Sequence, residues 1–275
     1  MSGRCHAVNA TGLLSCRNQL PVAPGDFVGL VEGNRVKRIL PRRTFLSRPD
    51  PANPRLEKVI AANIDIAVVV VSVANPALHP GVIDRYLIAI ERGGAEAAIC
   101  VNKSELGDAD AVEQALRPYR SLPAPIVLCS AHTGEGVDDL RAVIANKLCV
   151  FVGHSGVGKS SLLNALLPAA GAATGLVSDV TGKGQHTTTR SQIYDLACGA
   201  RVIDTPGVRE FGLWKLNPAE VRLYFHDFDE AALNCRFADC MHLHEPGCNV
   251  QEEVKSGGIA QVRYDRYKSI CASLV

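Results

Sequence analysis

Val150-Phe151-Val152-Gly153-His154-Ser155-Gly156-Val157-Gly158-Lys159-Ser160 carries an apolar strand end straight into a glycine-rich loop closed by Gly-Lys-Ser. A helical stretch, Ser161 to Leu167, follows and stops at Pro168. Each residue type has a physical task. Glycines let the backbone curl so that successive N–H groups point inward at phosphate oxygens. The N-terminus of the following helix adds the positive end of its dipole. Lys159 is placed to reach the β- and γ-phosphates, and the Ser160 hydroxyl to ligate Mg²⁺. The loop from Gly153 through His154, Ser155, Gly156, Val157 and Gly158 to Lys159, Ser160 and Ser161 is therefore the first expected nucleotide contact.

On both sides of this loop the chain alternates strand and helix. Ile64 to Val73 is nearly all apolar and β-branched, as expected of a strand buried on both faces of a parallel sheet. Val82 to Arg92 has helical spacing; Ala97 to Val101, Ala111 to Tyr119, Ile126 to Cys129 and Val137 to Leu148 continue the alternation. Such βαβ units predict a doubly wound α/β domain. After Leu213 the alternation stops, leaving a smaller Cys/His-bearing region and a final helical stretch.

Three more strand ends carry polar motifs. Val202-Ile203 leads into Asp204-Thr205-Pro206-Gly207, where the acid can hold the Mg²⁺ shell and the Gly207 N–H can meet a γ-phosphate. Cys100-Val101 leads into Asn102-Lys103-Ser104-Glu105, whose carboxylate can accept N1–H and the exocyclic N–H₂ of guanine together; adenine lacks that donor pair. Cys129 leads into Ser130-Ala131, within reach of the guanine O6. All four motifs fall at carboxyl ends of expected strands, the edge where open α/β sheets bind ligands.

Composition bounds the rest. The chain has 275 residues, 29 Lys+Arg against 28 Asp+Glu, and 47% apolar residues, a balance that excludes a disordered chain. No window approaches the ~20 apolar residues of a membrane helix, and the first residues hold no apolar run of signal-peptide length, so export is not expected. A net charge of +1 excludes nucleic-acid binding through bulk charge alone. The charge is uneven, however. Residues 1–55 hold nine basic side chains (Arg4, Arg17, Arg35, Lys37, Arg38, Arg42, Arg43, Arg48 and Arg55) against Asp26, Glu32 and Asp50. The same stretch offers an apolar run from Phe27 to Val31, the turn dipeptide Gly33-Asn34 and a further strand from Lys37 to Leu46 interrupted by Pro41. A small barrel of short antiparallel strands is expected there, bounded by the linker Pro49 to Pro54.

Of ten cysteines, Cys100, Cys129 and Cys149 lie in or beside apolar runs, which suits free thiols in a reducing, cytoplasmic compartment. Only Cys235, Cys240 and Cys248 cluster, with His242 between them. Three thiolates and an imidazole suit tetrahedral Zn²⁺, and a site with no spare position is structural. His244 and Cys271 are alternative ligands. A short region with so few apolar residues is expected to need the metal in order to fold.

The nucleotide motifs resemble the GTPase superfamily in a changed order. Asn102–Glu105 and Ser130-Ala131 precede the phosphate loop at Gly153, where ordinary members run the other way, so the chain looks circularly permuted. The basic N-terminus, the segment Gly182 to Thr189 and the terminal Cys/His cluster are similar to the ribosome small-subunit-dependent GTPases (the RsgA/YjeQ family) across almost the whole chain. Glu105 departs from the usual Asp by one methylene. The resemblance implies an α/β, circularly permuted P-loop GTPase domain with an N-terminal OB-like barrel and a C-terminal zinc-binding module. Residues 1–55, 56–218 and 219–275 are the expected divisions. It implies GTP hydrolysis to GDP in late maturation of the small ribosomal subunit, contact with its rRNA, GTP with Mg²⁺, one structural Zn²⁺, a cytoplasmic monomer and no membrane.

Val208 stands where many GTPases carry a water-orienting Gln, so slow intrinsic turnover is expected. His186 is the candidate to orient or deprotonate the water, and the resemblance points to the same residue. Thr188 or Thr189 is the expected switch ligand of Mg²⁺. Rival readings are a nucleotide-gated RNA-binding scaffold with incidental hydrolysis, a large-subunit assembly GTPase, and an ATPase with an accidental Asn-Lys-Ser-Glu.

Overall fold

A computed structural model describes residues 22–31, 35–167, 191–204 and 212–274. The Gly33-Asn34 turn, the Pro168 stop, the segment carrying His186, Thr188 and Thr189, and Thr205 to Val208 lie outside the described residues.

The sheet is dictated by the apolar runs. Strand β5, Ile66–Ser72, is buried at every position. Ile66, Val68 and Val70 pack into one apolar cluster while Ala67, Val69 and Val71 pack into another. Alternate residues point to opposite faces, so a run without polar interruption requires cover on both sides. Around β5 lie β6 (Glu96–Asn102), β7 (Ile126–Leu128), β8 (Leu148–Val152), β9 (Gln192–Asp195) and β10 (Arg201–Asp204), in the order β7-β6-β5-β8-β10-β9. All neighbours are parallel except the antiparallel pair of β9 and β10. Helices α1 (Pro80–Arg92) and α2 (Ala109–Leu116) contribute to one cluster, α3 (Val137–Ile144) and α4 (Lys159–Leu166) to the other.

Two helix boundaries differ from the expected ones. Asp108 accepts from Ala111 N at 2.8 Å and caps α2 at its start, and a 3₁₀ turn, Arg117–Tyr119, replaces its expected last turn. Helix α3 stops at Ile144 and does not reach Leu148. Asn146 adopts a left-handed φ of 59°, and Leu148 exchanges backbone and side-chain bonds with Asp65 at 2.8 Å, so the sheet claims it for β8.

Towards the N-terminus, β1 (Val28–Val31) pairs with β2 (Arg35–Ile39), and β3 (Phe45–Pro49) with β4 (Glu57–Ala62), as two antiparallel ladders among the described residues. Proline 41 falls between the ladders, and the expected linker from Pro49 to Pro54 is the hairpin loop joining β3 to β4, closed by Asp50 N to Leu56 O at 2.8 Å. The β3–β4 hairpin therefore straddles position 55. It rests on the main domain: Phe45 N donates to Gly93 O at 2.9 Å, and Leu46 is wholly buried with Ile83 and Ile90 of α1.

The C-terminal part has its own core. Short 3₁₀ segments at Pro218–Tyr224 and His226–Phe228 lead to α5 (Asp229–Ala232), α6 (Asn249–Ser256) and α7 (Gln261–Ala272). Val221, Phe225, Phe228, Tyr267 and Ile270 are almost fully buried together, and Ile88 of α1 joins them. Phe225 and Phe228 each meet Tyr267 edge-on, with ring centroids 5.2 and 5.4 Å apart. Arg263 of α7 donates to buried Asp84 of α1 and, at 2.8 and 2.9 Å, to Asp227. The region therefore has an apolar core and an ion-pair anchor besides its Cys/His cluster.

Candidate functional site

The four polar motifs sit at the carboxyl ends of β6, β7, β8 and β10, as the parallel sheet requires. Gly153 leaves β8 with φ 146°, and a Cβ there would lie 2.1 Å from the Val70 carbonyl oxygen. Gly158 ends the loop with φ 94°, where a Cβ would lie 2.2 Å from Asn102 Nδ2. Only glycine fits both the dihedrals and the space. Lys159 opens α4 and folds back so that Nζ donates to Gly153 O at 2.7 Å and His154 O at 2.8 Å. Ser160 and Ser161 are exposed on the first turn of that helix, and His154, Ser155 and Gly156 are exposed on the loop.

Asn102 joins three motifs. Its buried side chain donates to Val157 O at 2.8 Å and accepts from Ala131 N at 3.1 Å. Lys103, with a left-handed φ of 61°, donates through Nζ to Gly156 O at 2.8 Å and to Asn75 O. Ser104 N reaches Cys129 O at 3.0 Å, and Ser130 Oγ accepts from Thr133 N at 3.0 Å. The Ser130 hydroxyl also lowers the pKa of exposed Glu105 below the usual carboxylate range. Positions near 102, 130 and 156 thus converge on one edge of the sheet. Asp204 ends β10 half-buried; burial raises its pKa against the pull of Lys159. Gly207, His186, Thr188 and Thr189 lie outside the described residues.

In the C-terminal part Cys235, Cys240, His242 and Cys248 bring their ligand atoms within 4.8 Å of one another. His242 Nδ1 stands 3.4 Å from Cys248 Sγ and 3.6 Å from Cys235 Sγ. Burial lowers the pKa of the His242 imidazole and favours the neutral form that a metal accepts. Three sulfurs and one nitrogen, largely buried, fit a tetrahedral soft-metal site. His244 is exposed outside this group, and Cys271 Sγ instead faces Pro218 O at 3.8 Å.

Sequence reasoning missed the residues that brace these sites. The carbonyl of Asn75 and the Asp84–Arg263 pair carry no motif, and Glu245 shows only as an acid beside His244. Among the N-terminal basic residues, Arg42 has an internal role: its guanidinium pairs with buried Asp26 at 2.7 and 2.8 Å.

The sequence model of the RsgA GTPase family matches residues 39–214. A curated relative, the small ribosomal subunit biogenesis GTPase RsgA of Actinobacillus pleuropneumoniae serotype 5b (strain L20), is 41% identical over 263 residues, covering 92% of this chain and 76% of that protein. The protein of the same name from Haemophilus influenzae (strain PittEE) is 42% identical over 242 residues, covering 87% and 69%. Among solved structures, YjeQ from Thermotoga maritima superposes with a TM-score of 0.73 at 32% identity, over 93% of this chain and 85% of that one. YloQ, described as a circularly permuted GTPase, gives 0.71 at 25% identity, over 94% and 83%.

Proposed function

The chain belongs to the RsgA GTPase family and is a GTP hydrolase; from that premise we propose that it acts in late maturation of the small ribosomal subunit, its relatives being named small ribosomal subunit biogenesis GTPases. The observation that carries the site assignment is the Asn102 bridge, which ties the guanine-type motif to the phosphate loop at Val157 and to Ala131. GTP would lie along this edge. Glu105, beside Asn102, Lys103 and Ser104, would read the guanine face, and Ser130 and Ala131 its O6 side. Gly153 to Ser161 would wrap the phosphates, with Lys159 turning from its loop carbonyls to the β- and γ-oxygens.

Mg²⁺, which neutralises charge on the β- and γ-phosphates when bound, would be held by Ser160, the switch threonine at Thr188 or Thr189, and the Asp204 shell. Gly207 N–H would meet the γ-phosphate, and His186 would orient the attacking water, giving GDP and phosphate. Cys235, Cys240, His242 and Cys248 would hold one structural Zn²⁺. The N-terminal strands (residues 1–55) and the metal module (219–275) would flank the GTPase domain (56–218) and contact rRNA, largely at phosphates. Action as a cytoplasmic monomer belongs to the same proposal; among the described residues no helix is long and apolar enough to cross a membrane.

The test is single-turnover hydrolysis of GTP with small subunits, with large subunits and with neither, run beside ATP. Stimulation by small subunits alone, with GTP alone, is the expected result. Unchanged turnover with small subunits would favour an RNA-binding scaffold, and stimulation by large subunits the other permuted class.

A further inference from the structure

Small metal modules commonly depend on the ion for their fold, because the free chain has too little else to hold it. The four-ligand loop of this protein is held differently. Glu245 Oε1 accepts from Met241 N at 2.9 Å, and Oε2 accepts from Leu243 N at 2.9 Å and His244 N at 3.0 Å. One carboxylate thus satisfies three of the four backbone N–H groups from Met241 to His244, the turn in which His242 sits with a left-handed φ of 60°. The carbonyls of the same stretch are taken from the other side. Tyr264 donates to His242 O at 2.7 Å, Tyr267 donates to Met241 O, and Arg222 donates to Cys240 O at 2.9 Å and Ala238 O at 3.2 Å. Beside these bonds the four ligand atoms stand within 4.8 Å of one another.

We propose that Glu245 is the positioning residue of the four-ligand site: its carboxylate folds the Met241–His244 turn and so sets the spacing of Cys240 and His242. The proposal rests on the reading of that cluster as a zinc site. Of the side chains that hold the turn, Glu245 is the one that can be changed with least disturbance elsewhere. Tyr267 is wholly buried in the C-terminal core and Tyr264 nearly so, whereas Glu245 is only half-buried and acts on the turn alone. Burial would raise the pKa of its carboxyl, but the backbone N–H donors outweigh that and hold it at about 2. It therefore stays an acceptor across the whole working range.

The test uses the full-length zinc-loaded protein as wild type, Glu245→Ala and Glu245→Gln. Zinc content is measured by elemental analysis, and release to a metallochromic chelator is followed in time. The Gln variant keeps the side-chain volume but replaces one acceptor oxygen with an NH₂ donor, and it carries the test where the Ala variant does not accumulate as folded protein. Loss of a residue that orients metal ligands weakens metal binding about 10- to 100-fold. Release from Glu245→Ala is expected to be faster by that factor, with Glu245→Gln between it and wild type. Release rates for both variants within twofold of wild type overturn the proposal. A wild type that takes up no zinc overturns the zinc reading itself, and the proposal with it.

Discussion

The side-chain amide of Asn102 donates to the main-chain carbonyl of Val157 across 2.8 Å, joining residues 55 positions apart. Its oxygen meanwhile accepts from Ala131 N at 3.1 Å. One buried amide therefore aligns the loop expected to wrap the phosphates with both segments expected to read the base. Asn102→Ala would orphan the Val157 carbonyl and the Ala131 N–H together. A buried polar group left without its partner costs about 1–3 kcal/mol. Nucleotide affinity, followed with a fluorescent GDP analogue, should fall at least about tenfold, with a lower melting temperature in the absence of nucleotide.

Gly158 makes a sharper test of the same contact. Its φ of 94° disfavours any L side chain, and an added methyl would lie 2.2 Å from Asn102 Nδ2. Gly158→Ala must push Asn102 aside or distort the loop. GDP binding should be lost, while circular dichroism and the zinc content of the distant module stay at wild-type levels. Retention of near-normal GDP affinity would show that the loop and Asn102 do not form one unit.

Asp84 and Arg263 pair almost completely out of solvent, 1% and 3% exposed at the side chain. Arg263 also grips Asp227 at 2.8 Å, and Arg266 stands 3.8 Å from Asp84 Oδ2. The Arg263→Met variant would leave two carboxylates with a single nearby cation. Breaking a buried pair from one side costs about 3–5 kcal/mol, because the stranded charge has no water to turn to. Urea denaturation should show a loss of that order, concentrated in the C-terminal transition if that module melts separately. Asp84→Asn removes a charge whose burial already raises its pKa, and should cost less.

What was legible in the sequence follows from the range of the forces involved. Strand β5 could be read because a run without polar residues has one stable home, and the phosphate loop because its glycines and lysine are needed at fixed offsets. The Cys/His cluster was legible through its chemistry, and the fold brings its four ligand atoms within 4.8 Å of one another. The end of α3 was not, since Ile144 to Leu148 is apolar enough to continue a helix and only the Asp65 bond, 83 residues away, draws Leu148 into the sheet. The strength of the C-terminal core was hidden for a similar reason. Asp84 and Ile88 belong to a helix of the nucleotide domain, and nothing local announces that Arg263, 179 positions after Asp84, pairs with it or that Ile88 joins the C-terminal core. Glu245 escaped notice because its partners are backbone groups, which every residue carries.

His226 links the same two regions in a pH-dependent way. Its Nε2 stands 2.9 Å from Glu91 Oε1 of α1 and its Nδ1 3.0 Å from Asp229 Oδ2 of α5. Only the imidazolium can donate to both carboxylates at once. The Asp229 and Glu91 bonds accordingly raise its pKa above the ordinary histidine value. A histidine that binds its proton more tightly folded than unfolded contributes stability in full below its unfolded pKa, about 6.5, and loses it as pH climbs through the raised folded value. The side chain is 41% exposed, so solvent screens part of the effect. Lys147 and Glu96, which line the same cavity as His226, pair with each other at 2.7 Å. Chemical denaturation of wild type and His226→Gln at pH 6 and pH 8.5 isolates the contribution as the difference between the two proteins. The wild type should exceed the variant at pH 6 and approach it at pH 8.5. A gap that is constant with pH, or wider at the alkaline end, would mean that the ring serves as a neutral hydrogen-bond bridge and carries no proton-dependent hold on α1.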